Sequence, residues 1–134
     1  MKVLQFAFDS REESDYLPHN YDSNCIVYTG THDNDTTLAW YDALDNSGRD
    51  RVREYLGYPE EAMPWPLIRA ALESVGCMAM MPMQDLLELG AGNRMNTPGT
   101  VKDNWQLRPV EAPLPVDLAA RLRHLLMLYG RCPQ

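Results

Sequence analysis

Residues 25–37 read CIVYTGTHDNDTT. The run Cys25 to Tyr28 is short, apolar and rich in β-forming side chains, so it reads as a buried strand. It gives way at once to a Thr/Gly turn that holds His32, Asp33 and Asp35, with Asn34 between the two acids. Thr36 to Leu44 (TTLAWYDAL) then reads as a helix with Asp35 as its N-cap. Strand, polar turn and helix in direct succession form one βα unit. The turn therefore lies at the C-terminal end of a strand, where α/β folds gather their chemistry. Two readings of Asp33 stand side by side: a turn residue, or a working carboxylate.

The same pattern recurs along the chain. Val3 to Phe8 (VLQFAF) reads as a strand, followed by a polar loop from Asp9 to Asn24. A helix is expected near Arg49 to Leu56, stopped by Gly57, and another from Pro66 through Val75, stopped by Gly76. Cys77 to Met83 (CMAMMPM) reads as a third buried strand with Pro82 near its end, its methionines serving as core. Asp85 follows directly and is expected to cap a helix starting at Leu86. A long polar segment, LGAGNRMNTPGTVKDNW, covers 89–105. An amphipathic helix near 117–129 closes the chain, with Leu118, Leu122, Leu125, Leu126 and Tyr129 on one face. Strands alternating with helices predict an α/β fold with parallel pairing. Three strands cannot close a barrel, which takes about eight, so the pattern reads as part of a larger architecture.

Composition narrows the function. The chain has 134 residues, 45% hydrophobic and 23% charged, which is globular rather than disordered. Net charge is −7 with no Lys/Arg cluster, so a nucleic-acid partner is not expected, while a neutral substrate is compatible. No apolar run approaches the roughly 20 residues of a membrane span, and MKVLQFAF is too short for a secretory signal. A cytoplasmic location without membrane partner is therefore expected. Three scattered cysteines without a CxxC argue against a disulfide framework or a zinc site and are read as buried thiols. Asp33-Asn34-Asp35 starts like a calcium loop, but Leu38 and Leu44 occupy the positions that need Gly and Glu. LGAGNR lacks the GK[ST] of a phosphate loop. Neither metal nor cofactor is expected. Among the aromatics, Trp40 reads as core and Trp105 as the best candidate to stack on a ring.

MKVLQFAF, YLPHNY, VYTGTHDNDTT, M-x-x-QD-x-L-x-LG and RMNTPGT…NW, in this order, carry a resemblance. From Met1 to about Arg108 the chain resembles the 4-alpha-glucanotransferases of glycoside hydrolase family 77, also called amylomaltases or disproportionating enzymes. The resemblance implies the C-terminal part of a (β/α)8 TIM barrel, spanning residues 1–134, with MKVLQFAF as sixth strand, CIVYTG as seventh and CMAMMPM as eighth. It implies transfer of α-1,4-glucan segments to an acceptor sugar by a retaining double displacement. Asp33 matches the family's third catalytic carboxylate, which binds the sugar at the cleavage point and favours its oxocarbenium-like form. His32 matches a substrate-binding His. Arg94 and Asn96 match a segment near the sugar groove, and His19 lies on the loop after the sixth strand.

In the family the nucleophilic Asp and the acid/base Glu come from the fourth and fifth strands, upstream of the segment that matches Met1. The chain is thus expected to be inactive alone. The alternative is a non-catalytic glucan-binding or assembly fragment. Expected partners are an α-1,4-glucan or maltooligosaccharide, and either a second copy or the N-terminal part of the barrel. Three positions depart from the family pattern: Ala39 and Asp103 stand where Gly is usual, and Gln106 replaces an aromatic.

Overall fold

The computed structural model describes residues 1–8, 14–108 and 113–133, so the start of the expected loop at Asp9 lies outside the described residues. Three strands, β1 (Lys2–Val3), β2 (Ile26–Tyr28) and β3 (Met78–Met80), form one parallel sheet in that order. The register pairs Val3 with Tyr28, and Tyr28 with Met80. Three helices join β2 to β3: α1 (Thr37–Ala43), α2 (Asn46–Tyr55) and α3 (Trp65–Glu73). The short α4 (Met83–Leu86) follows β3, and α5 (Val116–Leu128) ends the fold.

The first strand is shorter than its sequence suggests. Only Val3 of the VLQFAF run lies in β1, because Leu4–Phe8 tightens into a 3-10 turn. The Gln5 N–H reaches the Thr29 carbonyl at 3.3 Å, and its side-chain amide donates to the Asp35 carbonyl at 3.0 Å. These bonds curl the chain over the end of β2 and stop the ladder.

The helix ends follow their capping chemistry. Thr36, not Asp35, caps α1: its hydroxyl accepts from the Ala39 N–H, while the Asp35 carboxylate accepts from the Thr36 N–H. Helix α2 starts earlier than expected, since Asp45 accepts from the Gly48 N–H at 2.7 Å. It ends as the sequence indicates. Gly57 adopts φ +76°, and the Gly57 and Tyr58 N–H groups return to the Glu54 and Arg53 carbonyls. Gly130, at φ +67°, ends α5 with the same pair of bonds, to Met127 and Leu126.

One face of the sheet is packed. Val27 sits with Leu4, Phe8, Val52, Leu67 and Ala71 in the main cluster, and Ala79 packs against it. A second cluster joins Trp65, Ile68 and Leu72 of α3 to Leu125 of α5. Gly76 permits the close packing of the turn before β3, where a Cβ would stand 2.6 Å from Val27 Cγ2. The other face is open, which corrects the expectation of a buried third strand. Met78 and Met80 are 49% and 45% exposed. They alternate with Ala79, so their side chains leave the helix-covered face and meet no covering layer among the described residues. Cys25 is buried as expected, but Cys77 is exposed and Cys132 partly so.

Candidate functional site

The loop from Gly30 to Thr36 leaves the C-terminal end of β2 and is shaped from within. The Asn34 side-chain oxygen accepts from both the N–H and the hydroxyl of Thr31, each at 2.8 Å. The Thr31 hydroxyl lies 3.2 Å from the Asp33 N–H, which donates to it. This closed turn leaves His32 and Asp33 at its tip, with side chains about half exposed.

Four of the five residues expected from sequence converge there. His32 Nε2 lies 3.3 Å from Asp33 Oδ2. The Asn96 amide donates to Asp33 Oδ1 at 2.6 Å, and Arg94 Nη2 donates to the Asp33 carbonyl at 2.6 Å. Arg94 Nε holds the Asn96 carbonyl at 2.9 Å, so Arg94 shapes its own loop while pinning the opposite one. The Trp105 ring faces His32, with centroids 5.2 Å apart. His19 is placed apart from this group. Its Nδ1 lies 2.9 Å from the Tyr55 hydroxyl, whose pKa burial pushes above the usual phenol value. The same hydroxyl accepts from the His19 backbone N–H at 3.4 Å, so Tyr55 anchors His19 through both ring and backbone.

The 89–105 segment is held by backbone geometry rather than by helix or strand. Trp105 N–H donates to the Met95 carbonyl at 2.8 Å, and the Asn104 side chain braces Thr97 and Thr100. Asp103 and Trp105 both adopt φ +61°. A left-handed backbone at a Trp is strained, and such strain concentrates at working sites.

His32 and Asp33 border a cleft of about 350 Å³ whose other walls include Tyr28, Met80, Met81 and Met95. A wider groove of about 630 Å³ lies toward Trp40 and Arg51, and none of these four site residues lines it. The cleft pairs apolar side chains with the Asp33 carboxylate, the His32 imidazole and the Thr31 side chain. Such a surface suits a ligand with apolar faces and a rim of hydroxyls. Among the described residues, no group of three or more His, Cys, Asp or Glu side chains is placed to hold a metal ion.

Comparison with known proteins identifies the lineage. The family model described as 4-alpha-glucanotransferase matches residues 1–111. The chain belongs to the 4-alpha-glucanotransferase family. A 4-alpha-glucanotransferase of Synechocystis is 46% identical over 133 residues, covering 98% of this chain and 26% of the relative. A chloroplast and amyloplast 4-alpha-glucanotransferase of Arabidopsis thaliana is 44% identical over 135 residues, covering 98% and 23%. The chain thus spans about a quarter of the length of these relatives. Its structure superposes on an amylomaltase from Streptococcus agalactiae, solved in complex with acarbose, with a TM-score of 0.92 and 34% identity. That match covers 99% of this chain and 27% of the amylomaltase.

Within this member of the 4-alpha-glucanotransferase family, one departure from pattern has a structural reason. Asp103, where the resemblance leads one to expect Gly, takes a left-handed backbone; Asp is among the few side chains that accept it.

Sequence reasoning missed the polar groups that fix the site from behind. Asp85 does not cap its own helix but lies inside α4, and its carboxylate crosses to Thr29 and Thr37. Nothing local signals this, since the partners are far away in sequence. Gln5 falls inside a run with strand composition, yet it fills the space beside Gly30, where a Cβ would meet its amide at 2.6 Å.

Proposed function

We propose that this chain supplies the glucan-binding, transition-state-stabilising part of a 4-alpha-glucanotransferase, with its strands as the sixth to eighth of a TIM barrel. The parent enzyme transfers α-1,4-glucan segments by a retaining double displacement. The observation that carries the reading is the convergence of His32, Arg94 and Asn96 on Asp33, from two loops on one side of the sheet.

Asp33 is the stabiliser in this reading. Asn96 and Arg94 fix its orientation, and its exposed carboxylate edge accepts from sugar hydroxyls and opposes positive charge at the anomeric carbon. His32 donates to a neighbouring hydroxyl, and Trp105 offers an aromatic face for an adjoining ring. The apolar cleft wall of Tyr28, Met80 and Met95 excludes water from the sugar's less polar face. His19 stands apart from this group, against Tyr55, and takes no part in holding Asp33. The ligand is an α-1,4-linked maltooligosaccharide, and the protein works in the cytoplasm without cofactor.

On this reading the family's nucleophilic Asp and acid/base Glu belong to the fourth and fifth strands, and the 134 residues on their own are expected not to transfer glucan. Incubation with maltotriose, with products read by chromatography, is expected to leave the sugar unchanged. Glucose together with longer maltodextrins would contradict this assignment. The open sheet face favours a second reading, a non-catalytic glucan-binding or assembly fragment. Restored transfer on adding the N-terminal part of a family member would select the first.

A further inference from the structure

Asp85 is 1% exposed, and the transfer chemistry does not call on it. Its Oδ2 accepts from the Thr29 hydroxyl at 2.7 Å and from the Thr37 hydroxyl at 2.7 Å. Its Oδ1 accepts from the Thr37 N–H at 2.8 Å. Thr29 follows β2 directly, and Thr37 is the first residue of α1. These two residues bracket the loop that carries His32 and Asp33.

A carboxylate in the core is expensive unless donors surround it. Here three donors do so, one of them an orphan amide at a helix N-terminus, where the dipole also favours negative charge. Thr36 already caps α1 locally, through the Ala39 N–H. Asp85 therefore does more than close a helix: a single rigid group fixes the distance between the two anchors of one loop. Asp85 also sits in α4, just beyond β3, so the loop is registered against the third strand as well as the second.

We infer that Asp85 is a positioning residue, which clamps both ends of the 30–36 loop and so holds Asp33 in the orientation that binds sugar. This rests on the reading of His32 and Asp33 as a glucan site. Arg94 and Asn96 hold the loop at its exposed tip, and Gln5 holds it at Asp35; Asp85 holds both of its ends.

The test is NMR on the 15N-labelled 134-residue chain with and without Asp85→Asn, well below the melting midpoint of each. Asp85→Asn keeps the shape but turns amide protons toward the threonine donors. The expected result is broadened or coil-like amide signals from Gly30 to Asp35 while Val27 and Leu67 keep theirs. Maltotriose affinity is expected to fall about tenfold or more, the loss of one charged hydrogen bond's worth of orientation. Thr37→Ser, which keeps the hydroxyl, should behave as the unsubstituted chain. A lower melting temperature with unchanged loop signals and unchanged affinity would overturn the inference and leave Asp85 a fold stabiliser only. If Asp85→Asn does not fold, Thr29→Val removes one donor at nearly constant shape and is read by the same two outcomes. If the unsubstituted chain ignores maltotriose, the glucan reading fails, and the loop signals still decide whether Asp85 orders the loop.

Discussion

At the scale of single residues, the polar groups at the tip of the 30–36 loop each have one side engaged and one side free. Asn96 occupies Oδ1 of Asp33, and His32 lies beside Oδ2, yet the carboxylate remains about half exposed. Away from the site, Glu61 shows the opposite economy. It takes Arg69 at 2.6 Å and Arg121 at 3.1 Å. The hydrogen bond from Arg69 lowers its pKa from the usual 4.5, against the opposing effect of partial burial, and Arg121 adds to the lowering. The unfolded chain then binds a proton at higher pH than the folded chain does. Glu61 contributes stability above its usual pKa and loses it as pH falls through the lowered value. Both partners are about one-third exposed, so the effect is modest. Thermal melts in acid should fall more steeply for the unsubstituted chain than for Glu61→Gln. Parallel curves would show that the ion pair does not couple to folding.

At the scale of elements, α5 is held to the rest through the buried Leu125, the partly buried Leu118, Leu126 and Tyr129, and a few polar ties. Leu125 enters the cluster of Trp65, Ile68 and Leu72, and the Arg121 guanidinium lies 3.7 Å over the Trp65 ring. Arg131 donates to the Leu72 carbonyl and, at 2.9 and 3.0 Å, to the carbonyls of Ser74 and Gly76, closing the end of α3. Leu125→Ala is expected to cost about 2–5 kcal/mol, most of it felt as release of α5. Hydrogen exchange should quicken in α5 and the exposed side of α3 while β2 stays protected; uniform quickening would mean that α5 is integral to one cooperative unit.

Elements with local signals were legible from sequence. Gly57 and Gly130 marked helix ends because only the local backbone decides a left-handed cap. The apolar face of α5 was legible from its spacing. The strands were not: Leu4–Phe8 has strand composition but curls, because Gln5 finds partners at Thr29 and Asp35. The methionines of β3 looked like core because composition cannot say which face of a sheet is covered. At the site, the order of motifs marked His32, Asp33, Arg94 and Asn96, whereas Asp85 has partners visible only in three dimensions.

At the scale of the whole molecule, the sheet is covered on one side and each outer strand pairs with one neighbour only among the described residues. Met78, Met80 and Met83 are exposed together. Open strand edges beside an apolar face pair with whatever fits them. The chain should self-associate with rising concentration in sedimentation velocity, and Met80→Lys should weaken that association; one sharp monomer boundary at all concentrations would contradict it. We propose that this quarter-length chain of the 4-alpha-glucanotransferase family carries a glucan site centred on Asp33. The most direct measurement is titration of the 15N-labelled chain with maltotriose. Saturable shifts are expected at His32, Asp33 and Asn96, and Asp33→Ala is expected to abolish them without unfolding the core. Shifts that are absent, or that survive Asp33→Ala unchanged, would contradict it.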